Sequence, residues 1–221
     1  MSARDEILAR IRAGLRGANA PPAVGSPAVG APDGLDSPAE RVAAFSRNLT
    51  AAGGHLRVVR GAEQAAIALG ELVAQAGART IALSDSPLVG RLSAQLDGPE
   101  LIDATDRAGL LEADLGASGV QHAIAETGTL VLETRSERNR LVSLLPPRHV
   151  AVLHADDILA TLGDALAAVD PGGTGAASRA VTFISGPSRT ADIELVLVVG
   201  VHGPRELSVI LIDPRHEPPT P

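Results

Sequence analysis

The chain has 221 residues, a formal net charge of −7 and no Cys, Trp or Tyr. This acidic balance argues against a general binder of nucleic acids or anionic membranes, and without Cys the chain cannot ligate an iron–sulfur cluster or a zinc ion through thiolates. All 19 basic residues are Arg, which excludes lysine Schiff-base chemistry and the lysine of a phosphate-binding P-loop.

Residues 3–16 are predicted to form an amphipathic helix, because aliphatic side chains recur there at helical spacing. Residues 17–36 are mostly Gly, Ala and Pro, a composition typical of a flexible linker. The tethered helix is either a loosely packed terminal helix or a segment that docks on a partner. The chain starts without the continuous apolar stretch of a secretory signal, and no apolar run approaches the roughly 18 residues of a membrane span. We therefore expect a soluble, cytoplasmic protein.

A globular domain is predicted over residues 37–221. Its first helix starts at Ser37, a capping residue that is followed by Pro in the first turn and by Glu40 three residues after the cap. Strands and helices then alternate. The predicted strands are 55–60, 79–85, 100–103, 120–125, 129–133, 149–155, 180–185 and 206–213, and the later predicted helices are 62–77, 86–96, 106–115 and 156–169. Residues 194–200 fit either a strand or a buried helix.

This alternation indicates an α/β fold, with a largely parallel sheet and helices on both faces. Ligands bind such sheets at the carboxyl ends of the strands. Two clusters of glycine and hydroxyl residues follow predicted strands, so we expect them to line one cleft. The first is Glu126-Thr127-Gly128-Thr129, after strand 120–125, and the second is GPSRTAD, residues 186–192, after strand 180–185.

The residue types in these clusters are typical of an anion site. Glycine lets the backbone approach a ligand closely, and hydroxyls and amides can donate hydrogen bonds to it. Arg189 adds a forked donor for a carboxylate or phosphate. On the predicted helix 156–169, Leu162 and Leu166 are expected to face the core.

Each cluster also has a structural interpretation. Thr127-Gly128-Thr129 has the composition of an ordinary tight connection, and Ser188 or Thr190 can cap a helix whose first turn carries Asp192. A capped N-terminus is itself an anion site, so the two interpretations are compatible. His202 between glycines is either a structural donor or a base. No metal-binding spacing of His and acidic residues occurs, and no metal site is predicted.

Three longer stretches carry a family resemblance. They are AIAETGTLVLE (123–133), RLVSLLPPRHVAVL (140–153) and FISGPSRTADIELVLVVGVHGPRELSVILID (183–213). Together with SARDEILARIR near the start, they resemble the lactate utilization protein C family, whose core is called the LUD domain. The resemblance implies a fold similar to that of the sugar-phosphate isomerase and CoA-transferase superfamily. It also implies a role in oxidising L-lactate to pyruvate beside two partner proteins. The iron–sulfur clusters are expected on those partner subunits, and no cofactor is expected in this chain.

Three functions remain open on this resemblance. The first is a non-redox subunit that binds a small carboxylate or phosphate ligand, iron–sulfur partner subunits, or both. The second is a free-standing enzyme with Glu126 as the candidate catalytic carboxylate, since superfamily relatives use a carboxylate at a strand end. The third is an assembly module. The predicted ligand-binding residues are Thr127, Gly128, Thr129, Gly186, Ser188, Arg189, Thr190, Asp192, His202 and Gly203.

Overall fold

The computed structural model describes residues 3–16, 35–136, 139–169, 178–191, 197–200 and 202–216. These residues fall into two units, Met1–Gly30 and Ala31–Pro221. The first unit contains helix α1 (Ala3–Leu15), which the sequence predicts. Its first turn carries Asp5 and Glu6 and its last turn carries Arg12, charges that stabilise the two ends of the helix dipole. The predicted linker, apart from residues 35 and 36, lies outside the described residues.

The second unit alternates helices and strands, as predicted. Its helices are α2 (Pro38–Ala51), α3 (Ala62–Ala76), α4 (Pro87–Ser93), α5 (Arg107–Glu112) and α6 (Leu162–Val169). Its strands are β1 (His55–Val59), β2 (Thr80–Leu83), β3 (Glu100–Asp103), β4 (Leu115–Gly119), β5 (His122–Ile124), β6 (Thr129–Glu133), β7 (Arg148–His154), β8 (Ile158–Leu159), β9 (Val181–Ile184), β10 (Arg189–Ala191), β11 (Leu197–Val199) and β12 (Glu206–Ile212). Short 3-10 helices cover Arg140–Ser143 and Ala155–Asp157.

Helix α2 begins with the predicted capping box. The Ser37 hydroxyl accepts a hydrogen bond from the Glu40 amide at 3.2 Å, and the Glu40 carboxylate accepts one from the Ser37 amide at 2.8 Å. Hydrogen bonding to the Ser37 backbone also lowers the pKa of the Glu40 carboxyl. The inner face of the helix buries Phe45 and Leu49 completely. This helix is important for the candidate site, because two predicted site loops pack on its last turn.

The core of the second unit is a six-stranded sheet in the order β1-β12-β7-β4-β2-β3, with every neighbouring pair parallel. Helices α3 and α4 pack on the face that carries Val150 and Ile210. Helix α2 and a second sheet pack on the opposite face, which carries Ala151 and Leu153. The predicted α/β fold with a parallel sheet and helices on both faces is therefore confirmed.

The second sheet has four strands in the order β8-β5-β6-β9 and is mixed, because β6 is antiparallel to both of its neighbours. The predicted strands 120–125, 129–133 and 180–185 belong to this sheet. They are not part of the parallel sheet, where the sequence argument had placed their carboxyl ends. The two glycine–hydroxyl clusters therefore lie beside the second sheet.

The predicted helix over residues 106–115 is shorter in the structure, and the strand that follows it was not predicted. Helix α5 ends at Glu112, and Leu115–Gly119 form β4 in the middle of the parallel sheet. The sequence LGASG does not reveal this strand because Gly and Ala are depleted in strands and the segment lacks β-branched and aromatic residues. Packing requires the small residues: a Cβ on Gly116 would collide with the Val142 carbonyl oxygen and lie 3.1 Å from Pro146 Cγ.

The prediction of one helix over residues 156–169 was wrong. Residues 158 and 159 form β8, and α6 starts only at Leu162. The start is fixed by Thr161 and Asp164, since the Thr161 amide donates to the Asp164 carboxylate at 3.0 Å and the Asp164 amide donates to the Thr161 hydroxyl at 3.1 Å. This shift turns the helix, so that Leu162 and Leu166 are 44% and 53% exposed instead of facing the core.

Candidate functional site

The turn of the first cluster is held by helix α2. Strands β5 and β6 form a hairpin, and the Gly128 amide closes its turn by donating to the Ile124 carbonyl at 2.9 Å. The side-chain amide of Asn48 donates to the carbonyl oxygens of Ala125 and Glu126 at 2.8 and 2.9 Å. The last turns of α2 therefore fix the backbone of this hairpin turn directly.

One glycine from each predicted cluster approaches α2 closely. Gly128 has φ +66°, and a Cβ there would lie 2.5 Å from the Asn48 carbonyl carbon. Gly186 has φ +95°, and a Cβ there would lie 2.5 Å from the Ala52 carbonyl oxygen. These glycines were predicted to allow close approach of a ligand. In the structure, their backbone freedom accommodates the end of a helix.

A chain of hydroxyl groups joins the two clusters. The Thr127 hydroxyl donates to Thr129 Oγ1 at 2.7 Å, and Thr129 Oγ1 lies 2.6 Å from Ser185 Oγ. The pairing of β6 with β9 brings them together, because Leu130 lies opposite Ile184 in that register. The first cluster thus reaches Ser185, the residue directly before the second cluster, and the contact lies beside the second sheet.

Arg189 lies at the C-terminus of α2. Its Nη2 atom donates to the Ala52 carbonyl oxygen at 2.7 Å, and a Cβ on Gly53 would lie 2.6 Å from the same Nη2. A guanidinium at this position satisfies a helix carbonyl and stabilises the negative end of the helix dipole. The side chain is otherwise exposed, so its binding of an anion stays a prediction.

The segment after Ser188 forms a hairpin in the described residues. Strand β10 pairs antiparallel with β11, so Thr190 lies opposite Val198, and no helix starts at Ser188 or Thr190. Instead, the Ser188 amide donates to the Pro204 carbonyl at 2.8 Å. The helix-capping interpretation was therefore wrong, and the open choice for residues 194–200 resolves to a strand over 197–199. Asp192 lies outside the described residues.

Glu126 lies beside the start of α6. Its Oε1 atom accepts a hydrogen bond from the Leu162 amide at 2.6 Å. A carboxylate there stabilises the first turn of a helix. The contact gives Glu126 a clear structural role, and its use as a catalytic carboxylate stays a prediction.

A cavity of about 270 Å³ lies between the Gly186–Ser188 loop and the loop at residues 202–204. It opens at the amino-terminal ends of β7 and β12, whereas the sequence argument expected a cleft at carboxyl ends. Four predicted ligand-binding residues line it: Gly186, Ser188, His202 and Gly203. The remaining lining residues are Ser143, Leu144, His149, Thr182, Phe183, Ile184, Ser185, Pro187, Pro204 and Leu207.

His149 is a cavity residue that the sequence argument did not select. It is 1% exposed, and its Nε2 atom lies 2.8 Å from the Ser118 hydroxyl. Its Nδ1 atom is buried without a hydrogen-bond partner among the described residues. Burial lowers the pKa of His149 to about 4, so the ring is neutral at pH 7. A histidine inside the otherwise apolar run HVAVL was the available sequence signal.

Glu133 forms a second buried polar group, at the end of β6. It is 1% exposed, and its Oε2 atom lies 3.0 Å from Arg135 Nη2 and accepts from the Ser178 hydroxyl at 3.0 Å. His122 Nε2 lies 3.8 Å from the other carboxylate oxygen. These contacts connect the end of β6 to the segment before β9. None of these residues was predicted as a site residue.

The described residues contain neither a group of metal ligands nor a helix that could span a membrane. Among those described, no group of three or more His, Asp or Glu side chains is arranged to hold a metal ion. Within the same ranges, the helices are too short or too polar to cross a bilayer.

Sequence comparison decides the family. The profile of the LUD domain matches residues 42–212. The chain belongs to the LUD domain family. The matched range contains both glycine–hydroxyl clusters, the cavity and His149, so all the candidate site residues lie within the LUD domain.

Individual relatives match shorter segments of this LUD domain protein. It is 44% identical over 110 residues to the lactate utilization protein C of Deinococcus radiodurans, covering 48% of this chain and 49% of that protein. It is 38% identical over 104 residues to the lactate utilization protein C of Shouchella clausii, covering 47% of this chain and 45% of that protein. The chain spans about half the length of these curated relatives.

A solved structure supports the fold of this LUD domain. The crystal structure of a DUF162 family protein from Deinococcus radiodurans matches with a TM-score of 0.61 and 27% sequence identity. The match covers 80% of this chain and 98% of that one. The α/β architecture is therefore shared with an experimentally determined relative.

Proposed function

We propose that this LUD domain protein is a non-redox component of an L-lactate oxidation system and that it holds a small carboxylate, lactate or pyruvate, beside Arg189. The observation that carries the proposal is the similarity to proteins named lactate utilization protein C. The lack of Cys supports the non-redox role, because this chain cannot ligate iron–sulfur clusters through thiolates. The clusters are assigned to partner subunits.

The geometry around the last turn of α2 supports the ligand part of the proposal. Arg189 is exposed and offers five N–H donors in a planar fork, of which the Ala52 carbonyl takes one through Nη2. Thr127 is exposed at the other loop that packs on α2, at the head of the hydroxyl chain. A carboxylate paired with the guanidinium would gain on the order of 1.5–3 kcal/mol from a charge-assisted hydrogen bond.

Calorimetric titration tests this proposal. The full chain is titrated with L-lactate, pyruvate and inorganic phosphate, and Arg189→Ala is expected to weaken carboxylate binding by roughly ten- to a hundredfold, since about 1.4 kcal/mol is tenfold. Arg91→Ala, which removes an exposed arginine from α4 on the other side of the parallel sheet, is the matched control and should bind as the unmodified chain does. Equal affinity in Arg189→Ala removes Arg189 from the site. No saturable binding of any probe overturns the ligand part.

Two further measurements separate the alternatives. Turnover by the isolated chain that is lost in Glu126→Gln would replace the proposal with a free-standing enzyme. The assembly alternative predicts that deletion of residues 1–36 abolishes binding to the iron–sulfur subunits while lactate affinity survives. Partner binding that withstands the deletion contradicts docking through the first helix.

A further inference from the structure

The cavity between the Gly186–Ser188 loop and residues 202–204 has few ionisable groups in its wall. Its described lining contains no Arg, Asp or Glu side chain, the chain has no Lys, and the ionisable lining residues are His149 and His202. Phe183, Leu144 and Leu207 give it an apolar surface, and several hydroxyl groups lie among them. A buried carboxylate without a cationic partner is strongly disfavoured. The cavity is therefore suited to an uncharged molecule.

The register of the parallel sheet directs the His149 ring to this cavity. His149 pairs with Leu207 across β7 and β12, and both residues line the cavity. His149 lies on the same face of β7 as Ala151 and Leu153, which face α2 and the second sheet. The ring thus lies on the face of the sheet that the cavity occupies, with Nδ1 buried and lacking a partner among the described residues.

The contact between Ser118 and His149 favours one tautomer, because a hydroxyl that donates to Nε2 leaves fewer buried polar atoms unpaired than one that accepts from it. The described residues give the Ser118 hydroxyl one acceptor, His149 Nε2, at 2.8 Å. A hydroxyl that donates to Nε2 leaves the single proton of a neutral imidazole on Nδ1. Nδ1–H is then a buried donor in need of an acceptor, and leaving such a donor unpaired destabilises the protein. A ligand oxygen in the cavity would satisfy it after a small movement of the ring, because Nδ1 is shielded from solvent in this structure.

We propose that the cavity binds a small uncharged molecule with a carbonyl oxygen on an apolar body, and that His149 Nδ1–H donates a hydrogen bond to that oxygen. The volume of about 270 Å³ falls just below the roughly 300 Å³ where ordinary ligand pockets begin, which limits the ligand to a small one. The apolar body packs between Phe183 and Leu207. This inference stands on the cavity and His149, and it does not require the proposed lactate role.

Three probes of nearly the same shape test the chemistry. Acetophenone carries a neutral carbonyl, benzoate carries a charge, and isopropylbenzene carries no acceptor. The full chain is labelled with ¹⁵N-histidine and titrated with each while the His149 nitrogen signals are followed by NMR. We expect a protonated Nδ1 that shifts saturably with acetophenone, and at least tenfold weaker binding of the other two probes. An unprotonated Nδ1, no saturable shift, or benzoate binding as tightly as acetophenone overturns the inference.

Variants locate the binding. His149→Phe removes the donor, so acetophenone should bind no better than isopropylbenzene, and a remaining preference contradicts the role of His149. If that variant fails to fold, Phe183→Ala decides, since Phe183 is 41% exposed and its truncation leaves the core intact. It should weaken acetophenone binding severalfold, and unchanged affinity overturns the site. Leu111→Ala, on a leucine that is 69% exposed on α5, is the control.

Titration of the same samples with L-lactate separates the two proposals. Acetophenone binding without lactate binding refutes the lactate site and leaves the cavity site standing. Lactate binding that depends on Arg189, without acetophenone binding, refutes the cavity site alone.

Discussion

Replacing Gly128 by Ala tests how the first cluster is built. Gly128 has φ +66°, a conformation that costs an L-residue about 1–2 kcal/mol. The new Cβ would lie 2.7 Å from Leu49 Cα, so the hairpin turn must move away from α2. That movement breaks both hydrogen bonds from Asn48, each contributing about 0.5–1.5 kcal/mol. The expected loss in the free energy of unfolding is therefore about 2–5 kcal/mol.

Gly77→Ala is the matched control for this experiment. Gly77 ends α3 with φ +59°, but a Cβ there would have no atom within 4 Å. Its replacement should cost only the conformational strain, about 1–2 kcal/mol. Urea unfolding followed by far-UV circular dichroism suits a chain without Trp or Tyr. Equal losses in the two variants would refute the packing argument, because the backbone strain at positive φ would then account for the whole cost at Gly128.

Two other variants probe the buried polar groups. Glu133→Gln should lower the free energy of unfolding by about 1–3 kcal/mol, because Arg135 and Ser178 lose a carboxylate partner. The control is Glu206→Gln, in an exposed pair with Arg148, which should lower it by less than about 1 kcal/mol. Similar losses of stability in the two variants would contradict the argument. Between pH 6.5 and 4 the unmodified chain should lose roughly 3 kcal/mol more stability than His149→Phe. The reason is that the unfolded histidine takes up a proton, whereas folded His149, with its pKa of about 4, does not. Parallel curves of urea-derived stability against pH for the two proteins would contradict this.

Local sequence signals predicted the elements whose cause is local. The Ser37–Glu40 box starts α2 within its own turn, and apolar runs such as HVAVL form strands of the parallel sheet. Strand β4 escaped prediction because its cause is tertiary: the 140–146 segment packs so closely on Gly116 that only a glycine fits. The start of α6 was missed in the same way, since residues 158–159 become a strand only by pairing with β5.

The candidate site also has parts that local sequence predicted and parts that depend on tertiary packing. The sequence placed the two clusters near each other, and Thr129 contacts Ser185, the residue directly before the GPSR loop, through the pairing of β6 with β9. The expectation that both clusters line one cleft stays a prediction. The sequence could not show that Gly128 allows the hairpin turn to pack closely on α2, or that His149 lines the cavity. The partner of His149, Ser118, lies 31 residues away on a strand that the sequence did not reveal.

The place of β12 in the sheet has a consequence for synthesis on the ribosome. This strand starts at Glu206, yet it lies between β1 and β7, and β1 has β12 as its described neighbour. The nascent chain must therefore carry β1 without that partner until most of the protein has been translated. Pairing across so long a sequence separation is slow, and the waiting strand edge can pair wrongly with other chains. We therefore expect folding during translation to be more exposed to aggregation than in a sheet whose neighbouring strands follow one another along the chain.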